Sequence, residues 1–234
     1  MVGFRSLFGQ IHASTLLLIG VALAQLVFWS LTRTIRVEPE LVPPPPTPKA
    51  LDILAFGDRQ FLYRALGLEV QNFGDTGGRF TPLLDYDYAR LGEWFDRLDR
   101  LDPVADYAPA IAAQYYGLTP TGADTVHIVL YLARHARRDI THKWRWLAQA
   151  AYMARHKAKD LPLALDLARE LAELSNRYPG LPVWTHSMPA FILAEMGETE
   201  AARLLLGAIL ESEPSLSPEE VRGMKGHIRR WSRR

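Results

Sequence analysis

Cysteine is absent from the 234-residue chain. That excludes a disulfide framework, thiolate-bound zinc, iron–sulfur ligation and thiol catalysis, while leaving the compartment open. A surplus of one charge is also missing, since 27 Lys and Arg face 26 Asp and Glu for a formal net charge of +1. So balanced a chain is neither a strongly cationic nucleic-acid binder nor an acidic disordered tail. Strand-like alternation of β-branched residues is scarce after residue 50, so no β layer is expected. What is abundant is apolar and aromatic surface: 48% of the residues are hydrophobic, with 6 Trp, 9 Tyr and 9 Phe. That suffices for a sizeable core.

Recurrent catalytic and metal-binding patterns are missing as well. None of the histidines His12, His127, His135, His142, His156, His186 and His227 belongs to the H-E-x-x-H pattern that puts two metal ligands on one helix face. His127 and His135 are eight residues apart and can share a face, but no carboxylate stands between them. The segment Gly74-Asp75-Thr76-Gly77-Gly78-Arg79 lacks the phosphate-loop spacing and its lysine, and reads as a turn between helices. Ser187, in His-Ser-Met-Pro, lacks the glycines of a nucleophile elbow. Asp96 and Asp99 share a helical face, but the interleaved Arg90, Arg97 and Arg100 suggest a solvated amphipathic helix. No catalytic residue, cofactor or metal is expected, and the chain does not read as an enzyme.

Residues 13–31 form a stretch of 19 without a charge. As a helix it would rise roughly 28 Å, close to the hydrocarbon thickness of a bilayer. Ala22-Leu23-Ala24 resembles a signal cleavage site, but the apolar run continues through Leu26, Val27, Phe28 and Trp29, which favours an uncleaved anchor. Arg5 precedes the span, and Arg33 and Arg36 follow it. That count favours a cytoplasmic domain. The signal-anchor layout (a short tail at 1–12, the span, then a Pro-rich spacer) favours the opposite side. The expectation is a single-pass protein of the inner membrane with a periplasmic domain. Residues 32–50 read as the linker, with Pro43 to Pro46 and Pro48 barring a helix there. In polyproline II form residues 37–50 would hold the domain roughly 30–40 Å from the bilayer.

Residues 51–234 read as helical throughout, divided by breakers at Gly74–Gly78, Asp102-Pro103, Leu118 to Gly122, Asp160-Leu161-Pro162, Tyr178-Pro179-Gly180, Gly197 and Pro214. Within this region the chain repeats at an offset of 38. Trp146 falls on Trp184, Ala164 on Ala202, Leu167 on Leu205 and Leu171 on Ile209. In the later copy Ala190, Gly197, Ala202 and Pro214 are spaced by seven, five and twelve residues. This pattern resembles the tetratricopeptide repeat, a helix–turn–helix unit of about 34 residues. Phe95 and Pro103 fit a degenerate unit upstream, so the resemblance covers residues 88–214. It departs from the family in its longer offset and in Pro189, where a large apolar residue is usual. The resemblance implies an all-α fold: a solenoid of stacked antiparallel helix pairs, with Ala164 and Ala202 at close helix approaches and Leu167 and Leu205 filling the grooves beside them.

Such stacks offer surfaces for other proteins. The expected role is a membrane-anchored scaffold, assembly factor or accessory subunit of a membrane complex, binding protein partners rather than nucleic acid or a small molecule. A lipid- or polysaccharide-binding helical module is the alternative. The candidate contact region spans 131–155, where Tyr131, Arg138, His142, Trp144, Arg145 and Trp146 combine rings with cations. The wider set Arg134, Arg137, Lys143 and Arg155 would help to grip an acidic or extended peptide. In a continuous helix His135, Arg138, His142 and Arg145 form one basic stripe. A break near Asp139 instead puts them at a junction of two helices. The basic, Trp-bearing segment 222–234 reads as a terminal helix that caps the stack or touches a membrane surface.

Overall fold

The computed structural model describes residues 13–33, 40–76, 79–178, 180–213 and 216–232. The tail at 1–12 with Arg5 and His12, Arg36 and the linker residues 37–39, Gly77 and Gly78, the terminating Pro179 and Pro214, and Arg233 and Arg234 lie outside the described residues. The chain divides into two units, residues 1–40 and 41–234.

In the first unit, α1 (Ala13–Thr32) is a 20-residue helix, about 30 Å long at 1.5 Å per residue. Ser14–Thr32 has a mean hydropathy of 2.0. Length and apolarity meet the requirement for crossing a membrane, a test that a signal sequence passes equally well. The helix closes with the Thr32 hydroxyl donating to the Phe28 carbonyl at 2.8 Å. The Arg33 guanidinium sits 5.4 Å above the Trp29 ring.

The second unit is helical almost throughout: α2 (Pro48–Leu54), α3 (Arg59–Gln71), α4 (Tyr88–Leu101), α5 (Tyr107–Gln114), α6 (Gly122–Arg138), α7 (Ile140–Met153), α8 (Leu161–Arg177), α9 (Trp184–Glu195), α10 (Thr199–Ser212) and α11 (Pro218–Trp231). The start signals act as their chemistry dictates. Asp58, Asp87 and Asp160 each accept a hydrogen bond from a backbone N–H of the first turn, satisfying a donor that the helix cannot. Ser217 and Glu220 form a reciprocal capping box on α11. Between α3 and α4, β1 (Asp75–Thr76) and β2 (Arg79–Phe80) make an antiparallel pair, with Asp75 opposite Phe80. Two residues per strand make a hairpin tip, not a layer.

From α6 to α11 every helix packs on its successor, while α4 packs on α3, α5 and α6. Aromatic rings fill the middle of this core. Phe95 stacks on Tyr131 at 4.9 Å, and Tyr116 makes edge contacts with Tyr86, Tyr88 and Phe95. The start of α6 presses against a π-helical turn, Ala154–Ala158, that ends α7. Gly122 is required there, because a Cβ would lie 2.8 Å from the Ala158 carbonyl oxygen. Ala164 and Ala202 are both fully buried, but their neighbours differ: Leu167 is buried whereas Leu205 is only half-buried, and Leu206 takes the inward position. Leu205 packs against the core from that half-buried position.

The Pro-rich segment also differs from expectation. Its described part is not a free spacer but a strap on α4. Val42 is buried, and the carbonyls of Val42, Pro43 and Pro46 accept from Arg90, the Trp94 indole and Arg97 at 2.8, 2.7 and 3.0 Å. Proline gives up its N–H but keeps its carbonyl, so an extended proline run is a row of acceptors. Positions 90, 94 and 97 supply matching donors from one face of α4. The helical structure resumes at Pro48, inside the expected linker, where Thr47 caps α2.

Candidate functional site

Asp139, at φ −152° and ψ 73°, separates α6 from α7. The basic residues therefore meet at a helix junction rather than along one continuous stripe. His142 is exposed, and its Nδ1 is 2.9 Å from the Asp139 carboxylate. Trp146 is half-buried, with its indole N–H donated to Asp106 at 2.7 Å. Trp144 is half-buried with its ring 5.9 Å from that of Trp184, and the Arg145 guanidinium lies 5.2 Å above Trp144.

These last residues belong to an open groove of about 390 Å³ between α7 and α9. Trp144, Ala148 and Tyr152 recur every fourth residue on α7, and Trp184 and Met188 do the same on α9. Such spacing puts each set on one helix face. Trp184 is 43% exposed and Tyr152 49%, so both rings are open to contact. Arg145 and Gln149 supply polar groups on the rim. A smaller depression of about 250 Å³ beside it gathers His142, Trp146 and Asp106.

Tyr131 and Arg138 leave the expected contact surface. Tyr131 is fully buried, with its hydroxyl donating to Asp99 at 3.0 Å, because it falls on the apolar stripe of α6 with Ile128, Leu132 and His135. Arg138 is exposed but is held 3.4 Å from Asp99 and 3.6 Å from Asp96. The wider basic set is similarly engaged within the protein. Arg134 pairs with Asp96, Arg137 with Glu170 and Arg155 with Glu195. An acidic peptide would therefore meet cations that are already neutralised.

Around Asp99 lies a polar cluster that the sequence reading missed. Asp99 is 1% exposed, not part of a solvated face. Nδ1 of the buried His135 is 2.8 Å from its carboxylate, and the imidazole Nε2 is 3.0 Å from Nζ of Lys143, which also donates to the Pro103 carbonyl. An Nδ1–H tautomer satisfies every member, donating to Asp99 and accepting from Lys143. Burial lowers the Lys143 pKa, against the raising influence of Asp99, Asp106 and Asp139. Burial and then the Asp99 charge push the Tyr131 phenol well above its usual range. A signal was available: Asp99 stands eight residues after Leu91 and four after Phe95, on the helix's apolar side.

Chemically this cluster is saturated. Among the described residues no buried side-chain polar atom lacks a partner. A cleft of about 450 Å³ reaches Asp99 from the α4 side, but its arginines are bonded within the protein, Arg97 to Pro46 and Arg100 to Asp52. Among the described residues no group of three or more histidines and carboxylates is placed to hold a metal ion. The cluster ties α4, α6 and α7 together, and Trp144 and Arg145 of the expected contact region stand in the open groove between α7 and α9. No family model, no curated protein and no solved structure matches the chain.

Proposed function

We propose that the chain is a membrane-anchored helical-repeat protein of tetratricopeptide type, acting as a scaffold or accessory subunit that binds an extended segment of a partner protein in the α7–α9 groove. The observation that carries this reading is the pair of half-exposed rings lining the groove, Trp184 from α9 and Tyr152 from α7, with Arg145 on its rim. Tryptophan, tyrosine and arginine are the residues most enriched where interface energy concentrates. In the proposed repeat α7/α8 and α9/α10 are successive pairs, which is supported by the packing of each of these helices on the next, and the concave face of such a stack is its binding surface. The anchor is α1, and the inner membrane with a periplasmic domain is the proposed setting.

A photo-crosslinking residue at Gln149, in the full chain in its native membrane, tests this. The expected result is one discrete protein adduct that disappears with Trp184→Ala while the melting temperature holds. Adducts to lipid or glycan alone would replace this reading with the alternative module. A protein adduct indifferent to Trp184→Ala would overturn the groove as the contact.

A further inference from the structure

A second cleft, sharing no lining residue with the groove, lies where the end of α3 and the β1–β2 hairpin meet α5; its volume is about 420 Å³. Its floor is Phe73 and Tyr86, both buried. Gly74 permits this floor twice over. Its φ of +79° is left-handed, and a Cβ would lie 2.0 Å from the Tyr86 hydroxyl. Three open rings form the rim: Phe80 is 87% exposed, Tyr107 40% and Tyr115 41%. Register brings the one charged group to the same place. Asp75 stands directly opposite Phe80 in the ladder, and opposed residues of an antiparallel pair project from one face.

The charge pattern selects the ligand. Among the described residues Asp75 is the charged side chain of the lining, and no Lys or Arg accompanies it. Aromatic faces carry negative potential, so rings and carboxylate together favour a cation and repel phosphate or carboxylate ligands. Among the described residues Asp75 has no cluster of further carboxylates beside it to offset the charge of a divalent cation. The volume lies in the range of small-molecule sites and far exceeds a bare ion. Rings favour cations with weak hydration and apolar bulk, which substituted ammonium groups provide. The Gln71 side chain accepts the Tyr107 hydroxyl through its oxygen, which leaves its amide N–H groups as donors for a ligand oxygen.

We propose that this cleft binds a small substituted ammonium compound bearing a hydroxyl, of the choline type, with Asp75 and the rim rings receiving the cation. The ligand is the free compound and not a phospholipid headgroup, because no cation in the described lining offsets the phosphate charge that Asp75 would repel.

Calorimetric titration of the detergent-solubilised full chain tests this with choline, glycerophosphocholine, maltose and 3,3-dimethyl-1-butanol, the uncharged isostere of choline. Saturable binding of choline, at least about threefold tighter than of the isostere or of glycerophosphocholine, is expected. Asp75→Asn should weaken choline by at least about threefold, and Phe80→Leu should do so independently. Both positions are exposed, and an unchanged thermal melt shows that the fold persists. Equal binding of the isostere, preference for glycerophosphocholine or maltose, or indifference to both substitutions would each overturn the proposal.

Discussion

Nδ1 of His135 lies 2.8 Å from Oδ2 of Asp99, and through this contact a buried imidazole on α6 grips a buried carboxylate on α4. Lys143 of α7 completes the chain from the other side of the ring. Removing one member of such a cluster is expected to cost more than the cluster contributes, because the remaining charges stay buried without compensation. Asp99→Ala should therefore lower the free energy of unfolding by about 3–5 kcal/mol. Urea denaturation measures it. A midpoint equal to the parent's would mean that solvent reaches the cluster.

The strap makes a separate demand on α4. Trp94→Phe keeps most of the ring but removes the N–H that the Pro43 carbonyl accepts. The expected loss is about 1–2 kcal/mol, as for a carbonyl left without its partner. The local effect should be larger than the global one, since the strap would keep the Arg90 and Arg97 bonds and the buried Val42 but lose the bond between them. Proteolysis within that segment should accelerate several-fold while the remaining fragment stays intact. Cleavage at the parent's rate would show that Trp94 does not hold the strap.

Most helix boundaries were legible because they rest on local chemistry. Asp58, Asp87 and Asp160 are cap residues in any context, and Asp102-Pro103 and Gly197 end helices by backbone geometry alone. What was not legible depends on tertiary partners. Asp99 and Lys143 look like surface residues until His135, 36 residues from Asp99, is seen between them. The proline run looks like a spacer until Arg90, Trp94 and Arg97 present donors at its own pitch. Two of the six candidate contact residues fared similarly: Tyr131 is spent in the core and Arg138 is held by Asp96 and Asp99, whereas Trp144 and Arg145 reach the groove. The cleft with Asp75 and Phe80 needed a two-residue register that no periodicity announces.

At Ala202 the side chain is fully buried within α10, which packs on both α9 and α11. Ala202→Leu adds three carbons where the helices meet, at an expected cost of about 1–3 kcal/mol. The neighbouring leucines calibrate the result. Leu206→Ala should cost about 2–5 kcal/mol, and Leu205→Ala, at a half-buried position, less than that. A thermal melt unchanged by Ala202→Leu would remove the close approach on which the repeat alignment depends.

Alkaline pH should unfold the protein through its buried phenols. Burial pushes Tyr63 and Tyr86 up to about 12 and raises Tyr88 and Tyr116 as well. Between the ordinary value of 10 and about 12 the unfolded chain releases protons that the folded chain keeps, so stability falls as pH rises through that window. Lys143 has the opposite sign: its lowered value makes folding more favourable as pH approaches its ordinary 10.5. Several phenols against one ammonium decide the direction. The urea midpoint should drop steeply above pH 10, together with a rise in phenolate absorbance. A midpoint flat up to pH 12 would contradict the burial of these hydroxyls.

Two arginines seven residues apart should respond in opposite ways to charge reversal. Arg138 stands within 3.6 Å of both Asp96 and Asp99, and Arg138→Glu would place a third carboxylate beside them. Repulsion next to the buried Asp99 should destabilise the fold by about 2–4 kcal/mol and lower its melting temperature. Arg145 is exposed and sits over the Trp144 ring, so Arg145→Glu loses one cation–π contact of about 0.5–1 kcal/mol at most. A defect in partner binding is therefore attributable to the groove only in the Arg145 variant. In that variant an adduct at Gln149 should weaken while the melt stays near the parent's. If Arg145→Glu instead unfolds the chain and Arg138→Glu leaves it stable, the junction at Asp139 has been assigned the wrong way round.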